Sequence, residues 1–513
     1  MLFHEIIDQG GRLRPQGAAL RHKSAALSYR QLAGLVGRVA AGIRHAGLQP
    51  GDRVALYGPK SFEIVAAMFG SSRAGAVFVP INPVFKPRQA AHILQDSGAR
   101  MVITTSQRAQ ALPPNALNDL IIVVVDDGGA GLAWSAFLQN ETASLEPGRS
   151  DEDLATLLYT SGSTGAPKGV MLSHGNLTVG AQSVSTYLKN TPDDRLLCVL
   201  PLSFDYGLSQ VSTALLSGAT AVLLDHLFPK DIVVALEAEA ITGLGCVPPL
   251  WLQLLGQTWP EGIAKTLRYV TSSGGAMPRS SVDGLRDRLP DTEIFLMYGL
   301  TEAFRSTYLD PRLVSQRPDS IGKAIPHARI DVVTPDGRSA GPDEPGELVH
   351  SGPLVAKGYW NDPERTAARF RPLPSDFGVE GPAVWSGDLV RRDVDGFLYF
   401  VERSDHMIKT SGYRVSPTEV EDVMYEIDGV AEAVAMGVGH AALGQAIVVA
   451  ISPTEDDAVT SDDILAHCRQ QLPTYMVPRA VVVRDALPRT PNGKMDRSLL
   501  TRELSGMFVS SDD

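Results

Sequence analysis

The sequence predicts an α/β protein that carries a small second domain. Short runs rich in Val, Ile and Leu, namely "RVALYG" (53–58), "MVITT" (101–105), "LIIVVVDD" (120–127) and "TAVLL" (220–224), do not alternate with polar residues. They read as strands buried on both faces. Stretches of helical periodicity lie between them, which predicts βαβ units and mostly parallel sheets. Beyond residue 402 the pattern changes to a compact unit of mixed strands and helices, small enough to act as a lid.

Taken in order, "YRQLAGLVGRVAAGIRH" (29–45) places an apolar stripe at helical spacing. Gly47 and Pro50 stop it before the strand at 53–58. "LATLLY" (154–159) is a further strand. "ELVHSG" (347–352) and "GFLYFVER" (396–403), divided by Gly/Pro/Asp-rich turns, predict antiparallel strands and a β subdomain over about 330–402. We therefore expect an N-terminal domain of stacked α/β sheets over 1–402, a junction at 403–405, and an α+β lid over 406–513. The lid contains a helix in "PTEVEDVMYEI", strands in "AEAVAMGVG" and "AIVVAIS", a helix in "SDDILAHCRQQL" and a strand in "AVVVRDAL".

At 513 residues the chain exceeds a single hydrophobic core, and 44% apolar residues suffice to fill two or three. A net charge of -12 argues against nucleic acid as a partner, because binding a phosphate backbone needs a concentrated basic surface. Three cysteines, Cys198, Cys246 and Cys468, stand far apart in no metal-ligand spacing, so neither a disulfide framework nor a zinc site is expected. The first residues, "MLFHEIIDQGGRLRPQ", lack the basic start and apolar run of a signal peptide, and no stretch reaches the roughly 20 apolar residues of a membrane span. A cytoplasmic location is the expectation.

"LLYTSGSTGAPKGVMLSHGNL" (157–177) concentrates hydroxyls, glycines and one lysine. Backbone amides near Gly162 and Gly165, with the hydroxyls of Thr160, Ser161, Ser163 and Thr164, can form a donor-rich concavity for phosphate oxygens, and Lys168 adds a point charge. It is not a Walker A loop, since Ala166 and Pro167 separate the lysine from the second glycine. Taken alone, such a segment also reads as an ordinary turn.

Further segments decide the matter: "FLMYGLTEA" (295–303), "WSGDLVRRDVDGFLYFVERSDHMIKTSGYRVSPTEVE" (385–421) and "LPRTPNGKMDR" (487–497). With the loop, in this order and at these separations, they resemble the adenylate-forming superfamily of acyl-CoA synthetases, luciferases and peptide-synthetase adenylation domains, over about residues 5–500. The resemblance implies ATP and Mg²⁺ as cofactors and a two-step reaction: acid plus ATP gives acyl-AMP and pyrophosphate, then a pantetheine thiol displaces AMP. Lys494, otherwise a lysine in a polar turn, would bridge the substrate carboxylate and the α-phosphate, where fixed cations meet developing charge. Glu302 would hold Mg²⁺ through a hard carboxylate oxygen. Thr301 would donate to the α-phosphate, and Tyr298 beside Gly299 would lie against the adenine, lined also by Gly274, Gly275 and Ala276. Asp388 would accept both ribose hydroxyls with help from Arg403. Asp405 occupies the hinge position, and Lys409 and Gly412 in "KTSGYR" would belong to a second face of the lid that lines a thiol tunnel. Without the resemblance, Thr301 and Glu302 also read as a helix cap and Asp388 as a turn residue.

Within "LPLSFDYGLSQ" (200–210), acyl-CoA synthetases of this kind commonly place His where Phe204 falls, whereas amino-acid-activating domains carry the same Phe-Asp pair. Asp205 would then hold a substrate ammonium, since a buried carboxylate needs a cation or donors. It could instead pair locally. Arg305, just after "TEAF", could neutralise Asp205 or receive a second substrate carboxylate. By position in the matching segments, Tyr206, Ser209, Cys246, Thr271, Ser273, Met297 and Ser306 are expected to line the remainder of a small, partly polar pocket. "SGYRVSPTEVE" looks more like free-standing acyl-CoA ligases, and "YGLTEAFRSTYL" (298–309) resembles acyl-CoA ligases associated with exosortase gene clusters. Sixteen residues follow Arg497, too few for a carrier module, so the thiol is expected on CoA or on a separate carrier protein. The leading expectation is a ligase that loads a small amino or imino acid onto a stand-alone carrier protein. The alternatives are an acyl-CoA synthetase for a short- or medium-chain acid and a nonenzymatic binding protein. Intact Lys494, Glu302 and Asp388 speak against the last.

Overall fold

A computed structural model describes residues 1–126, 128–129, 131–139, 149–160, 167–403, 407–454, 459–489 and 495–508, with Glu402 and Arg403 described by their backbone alone. The helix predicted at 29–45 spans Tyr29–His45. It starts where a capping box satisfies its first amides: Ser28 Oγ accepts from Gln31 N–H, and the Gln31 side chain accepts from Ser28 N–H. Leu32, Val36, Val39, Ala40 and Ile43 form its buried stripe. Gly47 follows its end at φ +84°.

Among the described residues, one sheet of the large domain runs Leu132–Ala133, Ile121–Val124, Ala99–Thr104, Arg53–Tyr57, Val77–Pro80, Leu154–Thr160, Lys168–Ser173. All neighbours are parallel except the last pair, an antiparallel hairpin. The interior strand Val77–Pro80, not among the apolar runs named above, is buried at every position. A second sheet has a parallel part, Ala18–His22, Thr220–Leu223, Arg195–Cys198, Gly243–Cys246, Tyr269–Ser272 and Glu293–Tyr298 in spatial order. At its far edge the chain turns back after Tyr298 and pairs antiparallel through Thr307–Leu309. Ser320–Ala324, Leu398–Arg403, Ala383–Arg392, Gly346–Ser351 and Arg329–Val333 continue that antiparallel run. Antiparallel pairing thus begins before residue 330, because the 299–306 turn is tight enough for Tyr298 to pair with Thr307.

The lid is a sheet of Tyr413–Val415, Ile408–Thr410, Gly444–Pro453 and Val430–His440, with Ala480–Val483 added in parallel beside Gly444–Pro453. Helices Pro417–Met424 and Ser461–Gln471 cover one face, burying Val420, Met424, Ile464 and Cys468. The 408–415 hairpin turns through Ser411 (φ +52°) and Gly412 (φ +82°), the left-handed pair that tight two-residue hairpins require. All three cysteines are buried and free. Among the described residues, no helix is long and apolar enough to cross a membrane.

Candidate active site

The predicted site residues collect where parallel strands end. Thr160 closes Leu154–Thr160, Phe204 and Asp205 follow Arg195–Cys198, Ser273 to Ala276 follow Tyr269–Ser272, and Gly299 to Arg305 follow Glu293–Tyr298. Open α/β sheets place ligands at such carboxyl ends.

The glycine-rich segment joins two antiparallel strands in which Thr160 pairs with Lys168. Ser161, Gly162, Ser163, Thr164 and Gly165 lie outside the described residues. Lys168 Nζ stands 3.6 Å from Glu302 Oε1 and 3.8 Å from the centre of the Tyr359 ring. The Tyr359 hydroxyl donates to the same Glu302 oxygen at 2.7 Å. Burial by itself pushes the Glu302 carboxyl up, but Lys168, Arg414, Arg369 and the Tyr359 hydroxyl overcome it and hold the group down at about 2. Burial lowers the Lys168 ammonium to about 8, with Glu302 opposing the fall and Arg414, Arg369 and Arg365 adding to it. Glu302 is therefore a buried, ionised carboxylate. Among the described residues no cluster of three or more His, Cys, Asp or Glu could cage a metal ion. A single hard oxygen donor of this kind fits a magnesium ion that takes its other ligands from phosphates and water.

Tyr298 donates its hydroxyl to Asp388 Oδ2, and both side chains are buried. Asp388 sits within strand Ala383–Arg392, where its backbone pairs with that of Arg403. The Arg403 side chain lies outside the described residues, as do Asp405 and Lys494. Gly274, Gly275, Ala276, Tyr298 and Gly299 border a cavity of about 680 Å³, and Lys409 and Gly412 of the lid border the same space. A smaller cavity of about 130 Å³ adjoins it through Gly274, Gly299, Lys409 and Gly412, and is also lined by Thr160, Thr301, Asp388, Asp205 and Arg305. The expected nucleotide, acid and thiol residues thus meet in connected space.

Asp205 opens helix Asp205–Leu216, where an acid is favoured by the helix dipole. It accepts from Thr301 Oγ1 at 3.4 Å. Burial raises its carboxyl, with Arg305 and the Thr301 hydroxyl pulling the other way. Arg305 approaches it without an ion pair within 4.0 Å. Instead Arg305 Nη1 donates to Ser273 Oγ at 2.8 Å, and the guanidinium lies 4.6 Å from the Tyr206 ring centre. Its Nε is buried with no hydrogen-bond partner.

The turn that aims Arg305 is unusual. Phe304 takes φ +56° and ψ −57°, and Arg305 N–H donates to the Ala303 carbonyl at 2.6 Å, closing a γ-turn. Such a conformation costs about 1–3 kcal/mol and persists only where packing over-determines it. The fully buried Phe304 ring supplies that packing, filling the space beside Gly180, where a methyl would come within 2.4 Å of the ring.

Tyr206, Ser209, Thr271, Met297 and Arg305 line a third cavity of about 30 Å³, with Tyr206 OH and Thr271 Oγ1 hydrogen-bonded at 2.5 Å. Phe204 faces the 130 Å³ cavity and meets the Tyr413 ring edge-on. Two expected lining residues border neither of these cavities. Cys246 is fully buried, which pushes its thiol well up, and Ser306 Oγ shares a hydrogen bond of 2.9 Å with the buried His350 Nδ1. Burial lowers His350 to about 3, so its imidazole is neutral.

Several site residues carry no signal in the sequence. Tyr359 belongs to "AKGYW" (356–360), which reads as a loop, and reaches Glu302 only because Met171 and Gly358 bond across two distant segments. Tyr475 stacks on Tyr413 at 3.6 Å, and both line the 130 Å³ cavity. Tyr413 and Arg414 could have been found, since they end the "KTSGYR" motif.

The chain matches the AMP-binding enzyme family over residues 8–360 and the AMP-binding enzyme C-terminal domain over residues 419–494. It is 34% identical over 489 residues to the feruloyl-CoA synthase of an Amycolatopsis species, covering 94% of this chain and 95% of that protein. It is 32% identical over 519 residues to the L-proline–[L-prolyl-carrier protein] ligase of Pseudomonas fluorescens, covering 98% of this chain and 100% of that one. Among solved structures, a double mutant of the o-succinylbenzoate CoA synthetase of Bacillus subtilis, bound with its product analogue, gives a TM-score of 0.84 at 26% identity over 97% of both chains. The same synthetase in complex with its acyl-adenylate intermediate gives 0.70 over the same share.

Proposed function

The chain belongs to the AMP-binding enzyme family and is an ATP-dependent, AMP-forming acid–thiol ligase, and from that premise we propose that it activates a small amino or imino acid and passes it to the phosphopantetheine thiol of a separate carrier protein. In the first step a substrate carboxylate oxygen attacks the α-phosphorus of ATP, the bond to pyrophosphate breaks, and acyl-AMP forms. In the second the thiol sulfur attacks the acyl carbon, the bond to AMP breaks, and the thiol proton is released.

The residues divide this work by position. Thr160, the 161–165 loop and Lys168 cradle the outer phosphates. Glu302, held ionised, is the carboxylate that would hold Mg²⁺, which when bound neutralises phosphate charge. Asp388 receives the ribose, oriented by the Tyr298 hydroxyl. The 274–276 segment and Gly299 allow the adenine close to the backbone. Lys494 meets the developing charge at the α-phosphate. Rotation about Asp405 exchanges the Lys494 face of the lid for the Lys409–Gly412 face, so one site serves both steps. The TM-scores of 0.84 and 0.70 against the two complexes of one synthetase support reading the arrangement seen here as the second-step one.

The choice of an amine-bearing acid is carried by one observation: Asp205 is buried in the acid cavity, and among the described residues no cation stands within 4.0 Å of it although Arg305 lines the same wall. A substrate ammonium would complete that carboxylate. The prolyl-carrier ligase, similar over its whole length, supports the same reading. The feruloyl-CoA synthase supports the second reading, an acyl-CoA synthetase for a plain carboxylic acid. ATP–pyrophosphate exchange over a panel of amino and plain acids tests the choice, followed by transfer of the best acid to CoA or to a phosphopantetheinylated carrier. Exchange with amino acids and transfer to the carrier is expected. Exchange confined to plain acids, with transfer to CoA, would overturn it.

A further inference from the structure

Arg305 is buried, with 2% of its surface exposed, yet among the described residues no carboxylate lies within 4.0 Å of it. A guanidinium stays charged at any working pH, so burial cannot be relieved by losing a proton. One neutral hydroxyl acceptor, Ser273 Oγ, and one ring face, Tyr206, leave most of its five donors unanswered, and its Nε has no partner. A buried cation in that condition is costly to the fold unless an anion completes it.

Its position tells where that anion would come from. The guanidinium lines both the 130 Å³ cavity that holds Asp205 and the 30 Å³ cavity beyond it. The smaller space adds the Ser209 hydroxyl, able to donate to a carboxylate, beside Thr271, which shares a hydrogen bond with Tyr206, and Gln210, whose Nε2 donates to the Gly245 carbonyl. The γ-turn at Phe304, locked by the ring beside Gly180, fixes the direction of the side chain that follows. The Asp205 carboxyl and the Arg305 guanidinium thus face one small cavity without an ion pair between them.

We propose that Arg305 is a specificity residue that binds a second anionic group on the substrate, making the acid a short dicarboxylic amino acid. This rests on the amine reading of Asp205. The ammonium would meet Asp205, the reacting carboxylate would face Thr301, and the side-chain carboxylate would take the free donors of Arg305 in a forked contact.

The test measures kcat/KM for ATP–pyrophosphate exchange with L-aspartate, L-glutamate, their amides L-asparagine and L-glutamine, and the amine-free diacids succinate and glutarate. The wild-type enzyme is expected to prefer an acidic amino acid over its amide on the order of a hundredfold or more, the effect of leaving a buried charge unpaired. Arg305→Gln is expected to reverse that preference through KM. Exchange with the diacids alone would remove the amine reading and leave Arg305 standing. Exchange with neutral amino acids in preference to acidic ones would leave the amine reading and overturn the role of Arg305. Should Arg305→Gln fail to fold, thermal shift of the wild-type protein decides: stabilisation by the acidic amino acid and none by its amide is expected, and equal stabilisation by both contradicts the proposal.

Discussion

Replacing Gly412 with alanine should slow thioester formation while sparing adenylation. In the arrangement seen here, a methyl at Gly412 would lie 2.8 Å from Val247 Cβ and Cγ1 and 2.9 Å from Cγ2. Turning the valine side chain cannot relieve contacts made by its branch point, and a β-branched residue has few rotamers to spare. Overpacking of this kind costs about 1–3 kcal/mol. That converts to a roughly 5- to 150-fold loss in the population of this lid position, and so in the rate of the step it serves. The left-handed backbone at φ +82° adds about 1–2 kcal/mol. That part is common to every lid position and lowers overall stability instead. The assay is rapid-quench transfer from preformed acyl-adenylate to the pantetheine thiol, beside pyrophosphate exchange on the same preparation. Loss of transfer with exchange retained is expected. An equal fall in both, after correction for folded fraction, would refute the reasoning.

Three further outcomes follow from the Lys168–Glu302–Tyr359 cluster. The Lys168 ammonium sits at about 8 in the nucleotide-free protein, and bound phosphate favours its charged form, so ATP binding at pH 8 should take up about half a proton. Calorimetry in buffers of different ionisation enthalpy reads this, and Lys168→Met should abolish it. Tyr359→Phe removes the hydroxyl that donates to ionised Glu302 at 2.7 Å, a charged hydrogen bond worth about 1.5–3 kcal/mol, so pyrophosphate exchange should fall roughly 10- to 100-fold with the fold intact by circular dichroism. Glu302, held at about 2 against its ordinary 4.5, contributes stability that is present above pH 4.5 and lost as pH falls toward 2, on the order of 3 kcal/mol in full. Urea titrations from pH 5 to 3 should show a shallower decline for Glu302→Gln than for the wild-type protein.

The strands and helices that surround the site were legible because their cause is local. Tyr29–His45 carries its capping residues and apolar stripe within one segment, and Thr220–Leu223, within the unbroken apolar run "TAVLL", is buried at every position. Thr160, Gly274, Tyr298, Thr301, Asp388 and Gly412 could be named from motifs, and they border connected cavities. What sequence could not give depends on the third dimension. Tyr359 meets Glu302 across a chain separation of 57 residues, from a segment with no motif of its own. Ser306 follows the "TEAF" motif yet turns to His350, because the γ-turn at Phe304 sends consecutive side chains in different directions. Whether Asp205 and Arg305 pair was likewise open in the sequence. Among the described residues the structure shows no ion pair between them: Arg305 donates to Ser273 and lies against the Tyr206 ring instead.

The central claim, that Asp205 selects an amine-bearing acid, is tested most directly by the ratio of kcat/KM in pyrophosphate exchange for the best amino acid and for its des-amino analogue, on the wild-type protein. A buried carboxylate left without its cation predicts a preference for the amino acid on the order of a hundredfold or more. A des-amino analogue that is used equally well, or better, would contradict the claim.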